Sequence, residues 1–159
     1  HRVALISAQA ERLGLPNVIA AQHDATQPFE EFEGIADCVL VDAPCTGLGT
    51  ACHRPDVKWN KKQEDAAALA KLQRQILQNA SRSVKPGGKL IYCTCTFTQT
   101  ENEDVVGWFL ANNAAFHLTP LTLPKNMPGH SDEKSGMLRL WPQIHQTDGF
   151  FICAMEKIS

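Results

Sequence analysis

The stretch IADCVLVDAPCTGLG, residues 35–49, gives the clearest indication of the fold. Its first seven residues are almost continuously apolar, which is typical of a strand buried on both faces of a parallel sheet. The pattern breaks at Asp42, and the residues that follow are small, turn-forming or reactive. Such a strand predicts an α/β protein, in which ligands bind beyond the carboxyl ends of the strands.

The segments on either side of this stretch alternate between helical and extended patterns. Thr100 and Glu103 have the spacing of a capping box, so Thr100 is expected to begin a helix that runs to about Asn112. The sequence KPGG at 85–88 is expected to stop the helix before it, and residues 120–147 are predicted to form a loop. The other predicted helices are 3–13 and 63–84, and the predicted strands are 18–22, 35–41, 90–93, 115–118 and 149–155.

Length and composition agree with one α/β domain whose parallel strands are joined by right-handed crossovers. The chain has 159 residues, of which 43% are hydrophobic, and no apolar run approaches the ~20 residues of a membrane-spanning helix. The net charge of −2 is unevenly distributed, because residues 53–89 hold nine Lys or Arg against three acidic residues. Such a segment suits an edge that faces phosphates, but a solvated basic helix face explains the charge equally well.

Six cysteines raise the question of redox state. Cys38 and Cys93 lie inside predicted strands, and Cys45 and Cys95 lie at the ends of strands. A disulfide framework would instead place cysteines among the loops of a small domain, so we expect a reduced, cytoplasmic protein. Metal or redox chemistry that uses Cys52, Cys93 and Cys95 is a weaker alternative, because no paired C-x-x-C motif is present.

The carboxyl ends of three predicted strands carry reactive or charged residues. Asp24 follows the first of these strands and Cys95 follows the third. Asp42 and Cys45 follow the second. Taken one at a time, an aspartate here is most often a turn former, and a cysteine is most often a small buried apolar side chain. Two cysteines at strand ends, one of them near an aspartate, favour a functional site.

The motifs around these cysteines resemble those of the Sun/nucleolar-protein family of RNA cytosine-5 methyltransferases, and in particular its bacterial 16S ribosomal RNA members. The resemblance covers nearly the whole chain, in order and with fitting spacing. Its segments are VDAPC at 41–45 and RPDVKW at 54–59 (similar to motif IV), LQRQIL at 72–77, KPGG at 85–88, YCTCT at 92–96 with ENE at 101–103 (similar to motif VI), and DGFF at 148–151.

The resemblance implies a Rossmann-like methyltransferase that transfers a methyl group from S-adenosylmethionine to carbon 5 of a cytosine. Ribosomal RNA is the expected substrate, and transfer RNA is the alternative. The resemblance assigns to Cys95 the thiolate that adds to carbon 6 of the base, and to Cys45 the release of the product. Asp42 is expected to contact the methyl donor or the cytosine ring, and Asp24 the adenine end of the cofactor. Arg54 and Lys58 are expected to contact RNA whose target base is flipped out.

The resemblance also implies that parts of the catalytic domain precede His1. The first two strands of the family's sheet, and the glycine-rich loop that holds the cofactor, have no counterpart in residues 1–159. We therefore expect the carboxyl-terminal portion of one catalytic domain, inactive by itself, monomeric in the full-length form, and without a metal or membrane partner. Without those strands, the strand at 18–22 is expected to pair directly with the strand at 35–41.

Other classes of function stay open from the sequence. A non-catalytic RNA-binding module would use the basic segment but would not require cysteines at two strand ends. A methyltransferase acting on amino groups would carry Asp/Asn-Pro-Pro-aromatic where this chain has residues 42–45, so that class ranks lower. Cys52 and His53 depart from the basic residues that the family usually has before its Pro-Asp turn, and His53 is expected to be a solvated loop histidine.

Overall fold

A computed structural model describes residues 1–60, 62–122 and 135–158. The helices are α1 (Arg2–Arg12), α2 (Val57–Asn60), α3 (Gln63–Ser83), α4 (Glu103–Asn112) and α5 (Pro142–His145). The strands are β1 (Ala36–Asp42), β2 (Val84–Thr94), β3 (Phe116–Leu118), β4 (Met137–Leu140) and β5 (Phe150–Lys157), and short 3-10 turns lie at Glu30–Phe32, Leu48–Thr50 and Gln99–Glu101. None of the helices in these ranges is long and apolar enough to cross a membrane.

All five strands belong to one sheet, in the order β1-β2-β5-β3, with β4 also paired to β5. β1 and β2 run parallel, and Asp42 pairs with Cys93, so these two strands end level with each other. β5 is antiparallel to β2, β3 and β4. The α/β fold with a parallel pair of strands is therefore confirmed, and an antiparallel strand is added beside that pair.

The core lies between the sheet and helices α3 and α4. Residues spaced by three or four along α3 place Ala70, Gln73 and Leu77 on one buried face. Gln73 interrupts this apolar stripe, so one stretch of the helix presents a polar group to the interior. The largest fully buried apolar side chains are Leu77 from α3, Val105, Val106 and Phe109 from α4, and Val84, Leu90, Tyr92, Phe151 and Met155 from the sheet.

The KPGG sequence at 85–88 ends α3 as expected, but it lies inside β2 and not in a turn before the strand. The pairing register with β1 shifts between Ala36 and Cys38, which marks a bulge. A Cβ atom at Gly88 would meet the carbonyl oxygen of Ala36 at 2.9 Å. Glycine is therefore required at this bulge, because a side chain would overlap the backbone of the neighbouring strand.

The helix predicted to begin at Thr100 begins later, and the predicted capping box is wrong. Gln99–Glu101 forms a 3-10 turn, and α4 begins at Glu103 with Asn102 as its N-cap residue. The carboxylate of Glu103 accepts hydrogen bonds from Arg139 of β4, with which it forms an ion pair. The Glu103 side chain therefore makes a long-range ion pair and not the capping contact that the local spacing predicted.

The predicted loop at 120–147 is wrong where β4 and α5 form, and residues 123–134 lie outside the described residues. β4 continues the line of β3 along the same edge of β5. Thr119 N donates to Ala154 O, and Ala154 N donates to Gly136 O. The residue after β3 and the residue before β4 are therefore bonded to the same residue of β5. Four residues give too weak a sequence pattern for a strand that depends on its partner.

The strand expected at 18–22 does not form, so its predicted pairing with β1 is wrong. Residues 18–24 have no regular secondary structure, and Ile19 is 91% exposed. Residues 23–35 separate the predicted strand from β1, and their only helical element is a single 3-10 turn, Glu30–Phe32. A parallel crossover usually contains an α-helix that packs on the sheet, and this connection has none to support side-by-side pairing.

Candidate active site

The loops that follow β1 and β2 hold Cys45 and Cys95 against each other. Parallel strands present their carboxyl ends at the same edge of a sheet, so cysteines 50 residues apart in the chain meet here. Their sulfur atoms are 3.3 Å apart, and both side chains are partly exposed. The structure therefore brings together the two cysteines that the sequence placed at strand ends.

A cavity of about 690 Å³ opens onto this sulfur pair. Asp42, at the end of β1, lines the cavity together with both cysteines. Arg2 and Arg54 line it as well, so the cavity combines a carboxylate, two thiols and two guanidinium groups. These groups suit a polar ligand that carries negative charge, and they place a nucleophile beside it.

The two thiols differ in acid strength because they share one hydrogen bond. The hydrogen bond from Cys45 lowers the pKa of Cys95 from its ordinary value of 9.0 to about 7, against the opposing effects of burial and of the Asp42 and Glu101 charges. The same contact, together with burial, raises the pKa of Cys45 far above its usual range. Near neutral pH the pair therefore keeps a proton on Cys45, while a large fraction of Cys95 is a thiolate.

A fully buried carboxylate, Glu101, connects the two cysteine loops. Its Oε1 atom accepts hydrogen bonds from the backbone N–H of Thr46 at 2.8 Å and from the side-chain amide of Gln73 at 3.2 Å. Its Oε2 atom accepts hydrogen bonds from the hydroxyls of Thr46 and Thr98, each at 2.7 Å. Burial of a carboxylate is costly unless donors surround it, and four donors do so here.

A second set of polar contacts fixes the loop after β2. The hydroxyl of Thr94 donates to the side-chain oxygen of Asn102 at 2.6 Å, and the side-chain nitrogen of Asn102 donates to Thr96 O at 3.0 Å. The hydroxyl of buried Tyr92 donates to the backbone oxygen of Glu101 at 2.7 Å. The start of α4 is therefore bonded to the strand and loop that lead through Cys95.

Sequence reasoning gave no role to Gln73 or Arg2 and treated Glu101 only as part of a motif. Gln73 carried a usable signal, because it is a polar residue on the apolar stripe of a long helix. Glu101 lies between a threonine-rich turn and an apolar helix, which is where a buried polar anchor can form. Arg2 has no such signal, since its place at the cavity depends on how α1 packs.

Three loops approach each other closely at Gly49. Gly49 N donates to Cys95 O at 2.9 Å, and Gly149 N donates to Gly49 O at 2.9 Å. A Cβ atom at Gly49 would lie 2.0 Å from Gly149 O and 2.8 Å from Cys95 O. No side chain fits there, so glycine allows the loops after β1 and β2 to bond to the start of β5.

The other residues singled out from the sequence have simpler surroundings. Asp24 lies in an exposed turn, where its Oδ1 atom accepts hydrogen bonds from the backbone N–H and hydroxyl of Thr26, which lower the pKa of Asp24. The side chain of Lys58 lies outside the described residues, and its backbone belongs to α2. His53 is exposed, as expected, and it contacts the Asp148 carboxylate at 2.8 Å.

Two further cysteines show how the interior of a strand affects a thiol. Burial raises the pKa of Cys93 to about 11 and that of Cys153 to about 12. The Cys93 thiol also donates to Val41 O at 3.4 Å, which fits the structural role expected for it. Cys95 lies two residues beyond Cys93, past the end of the strand, and there the neighbouring thiol outweighs burial.

Similarity to solved structures defines the class of the protein. The fold superposes with a TM-score of 0.81 on NSun6 from Pyrococcus horikoshii, which is 32% identical, over 99% of this chain and 39% of that chain. TrmN from Thermus thermophilus, at a TM-score of 0.58 and 15% identity, covers 99% of this chain and 33% of its own, and it supports the fold alone. The chain has the Rossmann-like fold of S-adenosylmethionine-dependent methyltransferases.

A family model described as 16S rRNA methyltransferase RsmB/F matches residues 1–156, and the chain belongs to this family. The "Probable ribosomal RNA small subunit methyltransferase B" of Bacillus subtilis is 42% identical over 99% of this chain and 36% of its own length. The human "28S rRNA (cytosine(4447)-C(5))-methyltransferase" is 37% identical over 100% of this chain and 21% of its own length. The chain thus spans about a third or less of these relatives.

The contact at Gly49 predicts that Gly49→Ala destabilises the protein by about 1–3 kcal/mol, because a methyl group would overlap two backbone oxygen atoms. Urea denaturation measures this change. Gly107→Ala is the matched control, since nothing lies within 4 Å of a Cβ atom there and alanine favours the helix by about 0.5–1 kcal/mol. A Gly49→Ala protein as stable as the Gly107→Ala protein would show that the loops do not approach in this way.

The thiol pair predicts the pH dependence of alkylation at Cys95. Iodoacetamide should modify Cys95 with a midpoint near pH 7, and Cys45→Ala should move the midpoint upward, because the donor that lowers the pKa of Cys95 is lost. Peptide mass spectrometry follows each cysteine separately. Exposed Cys52 serves as an internal reference whose profile stays unchanged. An identical Cys95 midpoint in both proteins would exclude the hydrogen bond as the cause.

Proposed function

We propose that this chain forms part of the catalytic domain of an RNA (cytosine-5) methyltransferase. A methyl group passes from S-adenosylmethionine to carbon 5 of a cytosine in ribosomal RNA, through a covalent adduct with Cys95. The observation that carries the proposal is the contact between two thiols, 3.3 Å apart, at a cavity that also contains Asp42. Carbon 5 of cytosine is a weak nucleophile until a thiolate adds to carbon 6, so the reaction needs an acidic thiol at this place.

The shared hydrogen bond of the thiol pair suits the order of the steps. The Cys95 thiolate adds to carbon 6, a carbon–sulfur bond forms, and the electron pair moves to carbon 5. Carbon 5 would then take the methyl group, with S-adenosylhomocysteine as the leaving group. Cys95 is now a neutral thioether, so the hydrogen bond and the negative charge that raised the pKa of Cys45 are gone. Cys45 then loses its proton to water more readily than before.

The second half of the reaction releases the product. The Cys45 thiolate removes the proton from carbon 5, the electron pair restores the double bond between carbons 5 and 6, and the carbon–sulfur bond breaks. Cys95 leaves as a thiolate and regains its hydrogen bond from the newly protonated Cys45. The 3.3 Å separation of the sulfur atoms lets both thiols reach the same edge of one pyrimidine.

The residues present fit S-adenosylmethionine, which supplies the methyl group on a positively charged sulfur. Asp42 lies in the cavity beside both thiols, where its carboxylate can orient the methyl donor or accept a hydrogen bond from the cytosine ring. Asp24 takes the adenine end in this proposal, and Gln75 and Asn79 of α3 anchor its turn through Thr26 O. NSun6 of Pyrococcus horikoshii was crystallised with SFG, an analogue of this cofactor.

Ribosomal RNA is the substrate that we propose, because the relatives from Bacillus subtilis and human are named for it. Arg2 and Arg54 line the cavity, where guanidinium groups suit the phosphates beside a flipped base. Lys58 joins them as a phosphate contact on sequence grounds alone. We further propose that residues 1–159 are the carboxyl-terminal portion of one catalytic domain that works in the cytoplasm, where thiols stay reduced.

Substitution of the two cysteines tests the assigned roles in the full-length enzyme. Cys95→Ala is expected to abolish methylation, because no thiolate remains to activate carbon 5. Cys45→Ala is expected to stop turnover after methyl transfer and to leave RNA attached to the protein. Denaturing gels with labelled RNA measure this adduct.

The matched control for both variants is Cys52→Ala, since Cys52 is exposed on the same loop region and carries no role in the proposal. It should methylate RNA at the wild-type rate and leave no adduct. Absence of an adduct with Cys45→Ala would remove the release role from Cys45, and an adduct formed by Cys95→Ala would reverse the two roles.

Bisulfite sequencing identifies the substrate directly. RNA from a strain that lacks the full gene should lose one methylated cytosine from small-subunit ribosomal RNA, and the wild-type gene should restore it. Restoration should fail with Cys95→Ala and succeed with Cys52→Ala. Loss of methylation from transfer RNA alone would contradict the proposed substrate but would agree with the proposed reaction.

A further inference from the structure

Hydrogen bonds of Glu101 and of its partner Gln73 fix the residues directly before and directly after Cys45. Thr46, directly after Cys45, gives both its backbone N–H and its hydroxyl to the Glu101 carboxylate. Gln73 donates to Glu101 and also to the carbonyl oxygen of Pro44, directly before Cys45, at 2.9 Å. The peptide groups on either side of this cysteine are therefore bonded, through one carboxylate and one amide, to the buried face of α3.

The same carboxylate reaches the loop that carries Cys95. Thr98 donates its hydroxyl to Glu101 Oε2, and the hydroxyl of Thr46 lies 2.9 Å from the hydroxyl of Thr96. Cys95 is further held by β2 itself and by the contacts of Asn102, whereas the loop of Cys45 turns away from the end of β1. Removal of the carboxylate would therefore loosen Cys45 more than Cys95.

We propose that Glu101 is a positioning residue for the thiol pair, whose buried carboxylate fixes Cys45 at its short distance from the sulfur of Cys95. The inference rests on the proposed function and deepens it. Glu101 acts through Thr46 and Gln73, its side chain being completely buried. Once Cys95 bonds to the base, Cys45 loses its hydrogen-bond partner, so this carboxylate is what keeps Cys45 over carbon 5 for the release step.

Two neutral substitutions separate position from charge. In Glu101→Gln, the amide oxygen can accept the hydrogen bonds of Thr46 N and Gln73, and the amide nitrogen can donate to the hydroxyls of Thr46 and Thr98. In Glu101→Ala, all four donors lose this acceptor, and the volume of the buried side chain is lost as well. Both variants remove the same negative charge, so a difference between them reports the hydrogen bonds and packing of the side chain and not its charge.

The full-length enzyme should show this difference in turnover. Glu101→Ala is expected to lower kcat about 100-fold with KM for RNA unchanged, and to accumulate the covalent adduct, because a misplaced Cys45 slows release. Glu101→Gln should recover kcat to within about fivefold of wild type, since the geometry is kept. Glu33→Gln is the matched control, because Glu33 is an exposed carboxylate paired with Arg82 before the start of β1.

A second readout does not depend on methylation. The charged or titratable groups around Cys95 are Asp42, Cys45, Cys93 and Glu101, with Arg2 and Arg54 in the same cavity. Glu101→Gln should move the iodoacetamide midpoint of Cys95 below the wild-type midpoint, because one nearby negative charge is gone. The Cys95 midpoint in Glu101→Ala should lie above the midpoint in Glu101→Gln, because the hydrogen bond from Cys45 is also weakened in Glu101→Ala.

These results decide between positioning and a general effect on folding. Equal alkylation midpoints for Glu101→Ala and Glu101→Gln would overturn the proposal, and so would wild-type kcat in Glu101→Ala. Failure of Glu101→Gln to restore turnover would overturn it as well. If wild type and Glu33→Gln both fail to methylate RNA, the proposed function is wrong, and the alkylation midpoints still decide whether Glu101 positions the thiols.

Discussion

The parallel pairing of β1 and β2 is the constraint on which the site depends. Asp42 pairs with Cys93, so the two strands end level, and the loops after them lie close enough for their side chains to bond. One loop supplies Cys45 and the other supplies Cys95, so neither loop makes the site alone. A slip of one residue would point every side chain of a strand to the opposite face. The bulge near Gly88 lies before the regular run of pairs, so the register at the carboxyl ends stays intact.

The alternation of apolar segments predicted the α/β class and the long helix α3, because long periodic patterns are set by burial. It also predicted the bounds of β1 nearly to the residue, but the predicted burial of that strand on both faces is wrong, since Cys38 and Leu40 are exposed. The meeting of Cys45 and Cys95 could be predicted too, since parallel strands end at one edge. What failed depended on contacts between distant segments. Glu103 pairs with Arg139 and so cannot cap a helix at Thr100, and β4 exists because β5 offers it an edge. The network around Glu101 joins three segments, so no local pattern reveals it.

The cysteines of this fold show that position decides the chemistry of a side chain. Inside the strands, burial raises the pKa of Cys93 and Cys153 and leaves them as small apolar groups. Past the strand ends, two thiols face each other, and the one that gives a hydrogen bond makes the other more acidic. The hydrogen bond from Cys45 is the largest of the effects that shift the pKa of Cys95. In the proposed reaction, the two thiols would exchange ionisation states as Cys95 bonds to the base and is released.

Two short strands at the edge of the sheet depend on the same residue of β5. Thr119, directly after β3, donates to Ala154 O, and Ala154 N donates to Gly136 O directly before β4. Both strands pair only with β5 among the described residues. A change in the path of β5 at Ala154 would therefore alter the pairing of both, and the edge of the sheet would gain or lose the two strands together.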